Sequence, residues 1–123
     1  MSQNLIKEKS FLFAIDIVNL YKWLISNKKE FVMSKQLLKC GTSIGANVRE
    51  ALNAESKNDF IHKLSIAQKE CDEAIYWLDL MKATKFIDES IYNEYRPKAD
   101  SLLKILKSII LTTKQNQVKI HNT

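Results

Sequence analysis

GTSIGANVREA, residues 41–51, reads as a length of half-buried helix, and that reading decides the fold class of the whole chain. Ile44, Val48 and Ala51 recur at steps of four and three, and Leu37, Cys40 and Leu52 extend the same apolar face. The spacing predicts a helix over about 32–54, with Lys35, Lys39 and Arg49 on the opposite face, toward water. Gly41 and Gly45 stand four apart on the edge of the buried face. Each would weaken a helix by about 1 kcal/mol relative to Ala unless a neighbouring backbone comes close, so a tight helix contact is expected at this place. The stretch is no phosphate loop, because it lacks the Lys-Ser/Thr ending and sits inside a helix.

Upstream, a helix over about 4–26 carries two apolar stripes. Phe11, Ala14, Ile15, Val18, Tyr21 and Ile25 form the one expected to face the core. Phe13, Ile17, Leu20 and Leu24 form a second, which a solitary bundle does not need, so these four are expected at a contact between subunits. Downstream, Ser56 can cap a helix over about 57–84 whose core stripe includes Phe60, Leu64, Ala67, Cys71, Ala74, Ile75, Leu78 and Met81. Ile66, Trp77 and Leu80 flank that stripe and join the predicted subunit contact. Asp88 can cap a last helix over about 88–113, with Leu102, Ile105, Leu106, Ile109 and Ile110 inward, a kink or break at Pro97, and a polar tail over 114–123 that should fray. Four amphipathic helices with short connections predict an all-α, up-down-up-down four-helix bundle forming one domain over 1–123, since no linker or internal repeat divides the chain.

The composition agrees. In 123 residues there are two Gly and one Pro, too few to build the turns of a sheet, while 46% hydrophobic residues suffice for one core. Cys40 and Cys71 fall on apolar helical positions and are expected as buried, reduced thiols. Lys, Asp or Asn interrupts every apolar run before it reaches the roughly 20 residues of a membrane span, and the start shows no apolar targeting segment; a cytoplasmic location is expected. The net charge of +5 favours polyanions. From Arg96 onward Asp100 alone opposes six cations, whereas 55–86 is slightly acidic, so a polyanion site should avoid the third helix.

Reactive groups are sparse. His62 and His121 have no second ligand at helical spacing, and Glu70, Asp72, Glu73 and Asp79 lack the Glu-x-x-His pairs of a di-metal bundle, so neither metal, cofactor nor catalysis is expected. Ser43, Asn47 and Glu50, at steps of four and three, border the buried face of the second helix. Such partly desolvated groups need partners, and this polar seam is expected to meet the third helix or another subunit.

GTSIGANVREA, followed by AESKNDFIHKLSIAQKECDEAIYWLDL at 54–80, resembles the bacterial four-helix-bundle family encoded in intervening sequences of large-subunit (23S) rRNA genes. The resemblance spans roughly Leu5 to Leu111 and is most specific at Ser43–Glu50. Where many relatives have an apolar or small residue and then Gly, this chain has Arg49 and Ala51. The resemblance implies a barrel-shaped homopentamer. It also implies a likeness to the accessory variability proteins of diversity-generating retroelements, which form such a ring and associate with nucleic acid and reverse transcriptase. It carries over no catalytic residue.

Two functions follow as expectations. One is a non-enzymatic, homo-oligomeric scaffold that binds structured RNA or DNA through Lys35, Lys39, Arg49, Arg96, Lys104, Lys107 and Lys114 on outward faces. The other is an adaptor that recruits a protein partner, its charge serving solubility. Aromatic residues do not alternate with these cations as single-strand stacking platforms require, which argues against base-specific reading.

Overall fold

The computed structural model describes residues 2–122, with side chains described for 3–118. Four helices are present among them and no strand: α1 (Ser2–Trp23, prolonged by a π-helical turn, Leu24–Lys28), α2 (Met33–Leu52), α3 (Lys57–Ala83) and α4 (Glu89–Asn122). The main contacts run α1 to α2, α2 to α3, α3 to α4 and, most sparsely, α4 back to α1. This is the cyclic order of an up-down-up-down bundle, with α1 diagonal to α3 and α2 diagonal to α4.

Helix starts are set by local chemistry. The Ser56 hydroxyl accepts the Asp59 N–H at 3.0 Å at the head of α3, and the Asp88 carboxylate accepts the Ile91 N–H at 2.9 Å at the head of α4. At α2 the cap comes from an unexpected residue, Glu30. Its carboxylate accepts the N–H groups of Ser34 at 2.7 Å and Val32 at 3.2 Å, while the Ser34 hydroxyl donates to the Glu30 carbonyl at 2.6 Å. Burial opposes the charged carboxylate, but the backbone hydrogen bonds of Ser34, Met33 and Val32 outweigh it and hold the Glu30 pKa below its ordinary value.

The core reverses the reading of α1. Ile6, Phe13, Ile17, Leu20 and Leu24 are buried, whereas Phe11 and Ile15, expected inside, stand 50% and 43% exposed. Phe13, Ile17, Leu20 and Leu24 therefore do not form a subunit contact; they are the core face of α1. Ser10, itself buried, explains the exchange, because a polar residue interrupts the true core stripe and its hydroxyl is satisfied by the Lys7 carbonyl at 3.2 Å. The glycines of α2 then select this face. A Cβ on Gly41 would lie 2.9 Å from both Cγ atoms of Ile17, and one on Gly45 would lie 3.4 Å from the Ser10 carbonyl oxygen. The close approach expected at Gly41 and Gly45 is thus made by α1.

Of the expectations about α4, the break at Pro97 and the fraying after residue 113 give way. The helix is not broken at Pro97. Pro97 and Asn93 are both exposed, so the carbonyl that loses its intrahelical donor faces water. The helix also continues to Asn122 rather than fraying after residue 113. Nothing after Pro97 is Gly or Pro, and Gln117 donates to Asn58 of α3 at 3.0 Å, which seats the segment on the first turn of α3.

Candidate functional site

The sequence assigns chemistry to three sets of residues: outward cations, a polar seam and an apolar subunit contact. Among the cations, Lys104, Lys107 and Lys114 are exposed on the outward side of α4, and none pairs with a carboxylate among the described residues. Ten residues of helix place the first and last about 15 Å apart along the axis. Lys35, Lys39 and Arg49 are exposed on α2. Burial and Glu73 raise the pKa of Glu70 on α3, and Lys39 lies close enough to oppose them in part. The Arg49 guanidinium sits 5.2 Å from the centre of the Phe11 ring. Because α2 and α4 occupy diagonal corners, the two groups form separate basic faces rather than one patch.

Arg96 does not belong with them. It is half-buried between α3 and α4, its Nε 3.0 Å from Asp79 and its guanidinium also bound to Asp100. The Tyr92 hydroxyl donates to the same Asp79 carboxylate at 2.6 Å, and this hydrogen bond, with burial, raises the tyrosine's pKa. An arginine engaged by two carboxylates is an internal clamp, with little charge left for an external phosphate. The spacing of α4 placed Arg96 outward; only the approach of Asp79 from α3 reveals the pairing.

The polar seam resolves into local bonds. The Ser43 hydroxyl donates to the Lys39 carbonyl at 2.6 Å, and the Asn47 amide to the Ser43 carbonyl at 2.9 Å, both four residues back along α2. Glu50 alone crosses to α3, pairing with Lys63 at 3.3 Å. Among the described residues no buried side-chain nitrogen or oxygen lacks a partner.

Thiol chemistry is closed off. Cys40 and Cys71 are buried and free, and burial, assisted by neighbouring carboxylates, pushes both up to about 12, where the thiolate is absent at neutral pH. Cys71 donates instead to the Ala99 carbonyl of α4 at 3.3 Å. His62 is exposed, and among the described residues no cluster of His, Cys, Asp or Glu could hold a metal ion; the side chain of His121 falls outside the described residues. No described helix is long and apolar enough to cross a membrane.

Of the apolar subunit contact, only the α3 flank stays at the surface: Ile66, Trp77 and Leu80 are half-buried, beside Tyr76, which is exposed. On α1 the exposed apolar residues are Leu5, Phe11, Leu12 and Ile15. A groove of about 550 Å³ opens along the sparse α1–α4 contact, walled by Leu12, Ile15, Pro97 and Leu102, with Lys9 and Lys98 at its rim. The periodicity registered surplus apolar surface on α1 correctly and attached it to the wrong stripe; the buried serine was the missing clue.

Comparison with known proteins gives a family and a solved fold. The profile of the 23S rRNA-intervening sequence protein family matches residues 2–108. A crystal structure of a protein of unknown function from the S23 ribosomal protein family of Bacteroides thetaiotaomicron is similar over 89% of this chain and 98% of that one, at 52% identity and a TM-score of 0.88. No curated protein matches the chain.

Proposed function

The chain belongs to the 23S rRNA-intervening sequence protein family, and from that premise we propose that it is a non-enzymatic, homo-oligomeric scaffold which holds structured RNA or other nucleic acid on its basic outward faces. The observation that carries this reading is the row of Lys104, Lys107 and Lys114, exposed along α4 and free of carboxylate partners among the described residues. Lys35, Lys39 and Arg49 form a second, weaker face, since Lys39 is near Glu70 and Arg49 is stacked on Phe11. Each domain is one four-helix unit. Exposed Phe11, Leu12 and Ile15 support association with further copies, and the family resemblance suggests five.

A ring of copies would present the α4 row several times, so that weak single contacts add through effective concentration. Binding should therefore be tight only for the assembled protein and should fall steeply with salt. The test is titration of a structured RNA at two or more salt concentrations with the natural chain and with K104E/K107E/K114E. The variant is expected to lose most binding at about 50 mM salt and to flatten the salt dependence by about one unit per lysine removed per copy. RNA binding that ignores salt, or that survives the triple variant unchanged, would reject the α4 row.

The adaptor reading draws on the same exposed α1 residues, Phe11, Leu12 and Ile15, taken as a seat for a different protein. A protein partner retained after nuclease treatment, and released by Phe11→Glu, would support it over nucleic-acid binding.

A further inference from the structure

Two outward faces of the bundle lack a cover, and they differ in sign. On α1, Phe11, Leu12 and Ile15 are 50%, 52% and 43% exposed. Leu12 and Ile15 form one wall of the groove against Pro97 and Leu102 of α4. Cations border this face: Lys9 and Lys98 at the groove, Arg49 over Phe11, and Lys22 one turn beyond Val18. Asp16 and Lys98 neutralise each other at 2.9 Å, so the charges left on this face are Lys9, Lys22 and Arg49 against Glu8.

On α3 the exposed Tyr76 stands edge-on to half-buried Trp77, ring centres 5.1 Å apart, and forms an aromatic ridge with Leu80. Carboxylates stand on one side of it, Asp72 and Glu73 one turn before Tyr76. Glu70, Asp72 and Glu73 precede the ridge, and Lys69 is the one cation between Ile66 and Leu80. Since α1 and α3 are diagonal, a single copy carries the groove and the ridge on opposite sides.

Resting on the reading of the chain as a homo-oligomer, we propose that the α1–α4 groove of one copy receives the Tyr76 ridge of α3 from a second copy, so that chains associate head to tail. Charge selects this pairing over the alternatives. Joining α1 to α1 about a two-fold axis would oppose the clusters of Lys9, Lys22 and Arg49, and joining α3 to α3 would oppose Asp72 and Glu73; like charges across an interface are disfavoured. Groove to ridge sets cations against carboxylates and gives the exposed aromatic an apolar slot. A contact between two different surfaces leaves one groove and one ridge open at the ends, so the chain of subunits must close as a ring or extend as a filament.

Sedimentation velocity on Ile15→Glu, Tyr76→Lys and their equimolar mixture tests this geometry. Both positions are exposed, and circular dichroism establishes that the variants keep their helices. Each variant alone is expected to sediment as a single chain. In the first, the new carboxylate in the groove opposes the α3 carboxylates; in the second, the new ammonium on the ridge opposes Lys9 and the other cations of the α1 face. The mixture is expected to reassociate to at least two chains, through the intact ridge of the first variant and the intact groove of the second. If only Ile15→Glu dissociates, α1 pairs with α1; if only Tyr76→Lys dissociates, α3 pairs with α3; either result overturns the proposal, as does a mixture that stays monomeric or two variants that both assemble normally. Leu12→Glu with Glu73→Lys repeats the experiment should one of the first pair lose its helical spectrum. A natural chain that is itself monomeric at micromolar concentration sinks the oligomer reading, a result distinct from any of these.

Discussion

α1 is held on its two sides in opposite ways. Against α2 it lies so close that Gly41 has no room for a side chain beside Ile17, and the Ser10 carbonyl reaches the position a Gly45 Cβ would touch. Against α4 it leaves a groove of about 550 Å³, bridged at the rim by Lys98 to Asp16 at 2.9 Å and Lys9 to Ser101 at 3.5 Å. The first contact is dry and shape-matched, and the second is loose and spanned by exposed charges. Packing energy depends on the number of atoms in contact and on exclusion of water, so the α1–α2 side should dominate stability. The α1–α4 side is correspondingly free to receive another surface.

Breaking the tight side should have the largest effect. Ile17→Ala removes a fully buried side chain from the glycine seat and is expected to destabilise the chain by about 2–5 kcal/mol in chemical denaturation. A loss below about 1 kcal/mol would mean that α1 and α2 can close the gap. Gly41→Ala attacks the same contact by overfilling it. Its Cβ would meet Ile17 near the branch point, at 3.2 Å from the Ile17 Cβ, where a side chain cannot swing away cheaply. The expected net loss is about 1–2 kcal/mol, after overpacking of about 1–3 kcal/mol is offset by about 1 kcal/mol of helix propensity. The double variant should be less destabilised than the sum of the two, because alanine at 17 vacates the space that alanine at 41 needs. Strict additivity would show that the glycine and the isoleucine do not share one site.

The corner that turns α1 into α2 supplies a smaller, pH-dependent effect. Glu30 caps α2 as a carboxylate with a lowered pKa, so its contribution is fully present above the ordinary carboxylate pKa near 4.5 and disappears as pH falls through the lower folded value. Glu30→Gln is expected to cost about 1 kcal/mol at neutral pH and to diminish the natural chain's loss of stability below about pH 4.5. Unfolding curves at pH 7 and pH 3 that shift equally in both proteins would remove Glu30 from the acid response. The smallest effect belongs to the loose side: Lys98→Ala breaks the exposed pair with Asp16 and should change stability by less than about 1 kcal/mol. A larger loss would indicate that the groove is held together by charge.

Much of the architecture was legible because periodicity records which face of a helix avoids water. The spacing around Ile44 and Val48 placed α2, and the hydroxyl and carboxylate at Ser56 and Asp88 marked the starts of α3 and α4. The candidate site was less so. Lys104, Lys107 and Lys114 proved exposed on α4 as expected, but Arg96 was withdrawn by Asp79, which approaches from another helix. Local spacing contains no term for such a partner. Glu30 likewise offered no recognisable cap motif, since the π-helical turn before it determines where its carboxylate falls.

By itself, then, the order of residues determined that the chain forms four helices, that α1 carries more apolar surface than one core face needs, and that positive charge gathers toward the end. Which stripe of α1 turns inward was decided only by tertiary structure. Both stripes satisfy helical periodicity, and the choice fell to the one whose Ile17 and Ser10 could enter the space left by Gly41 and Gly45. Shape matching between helices is a property of two surfaces at once, and neither surface states it alone.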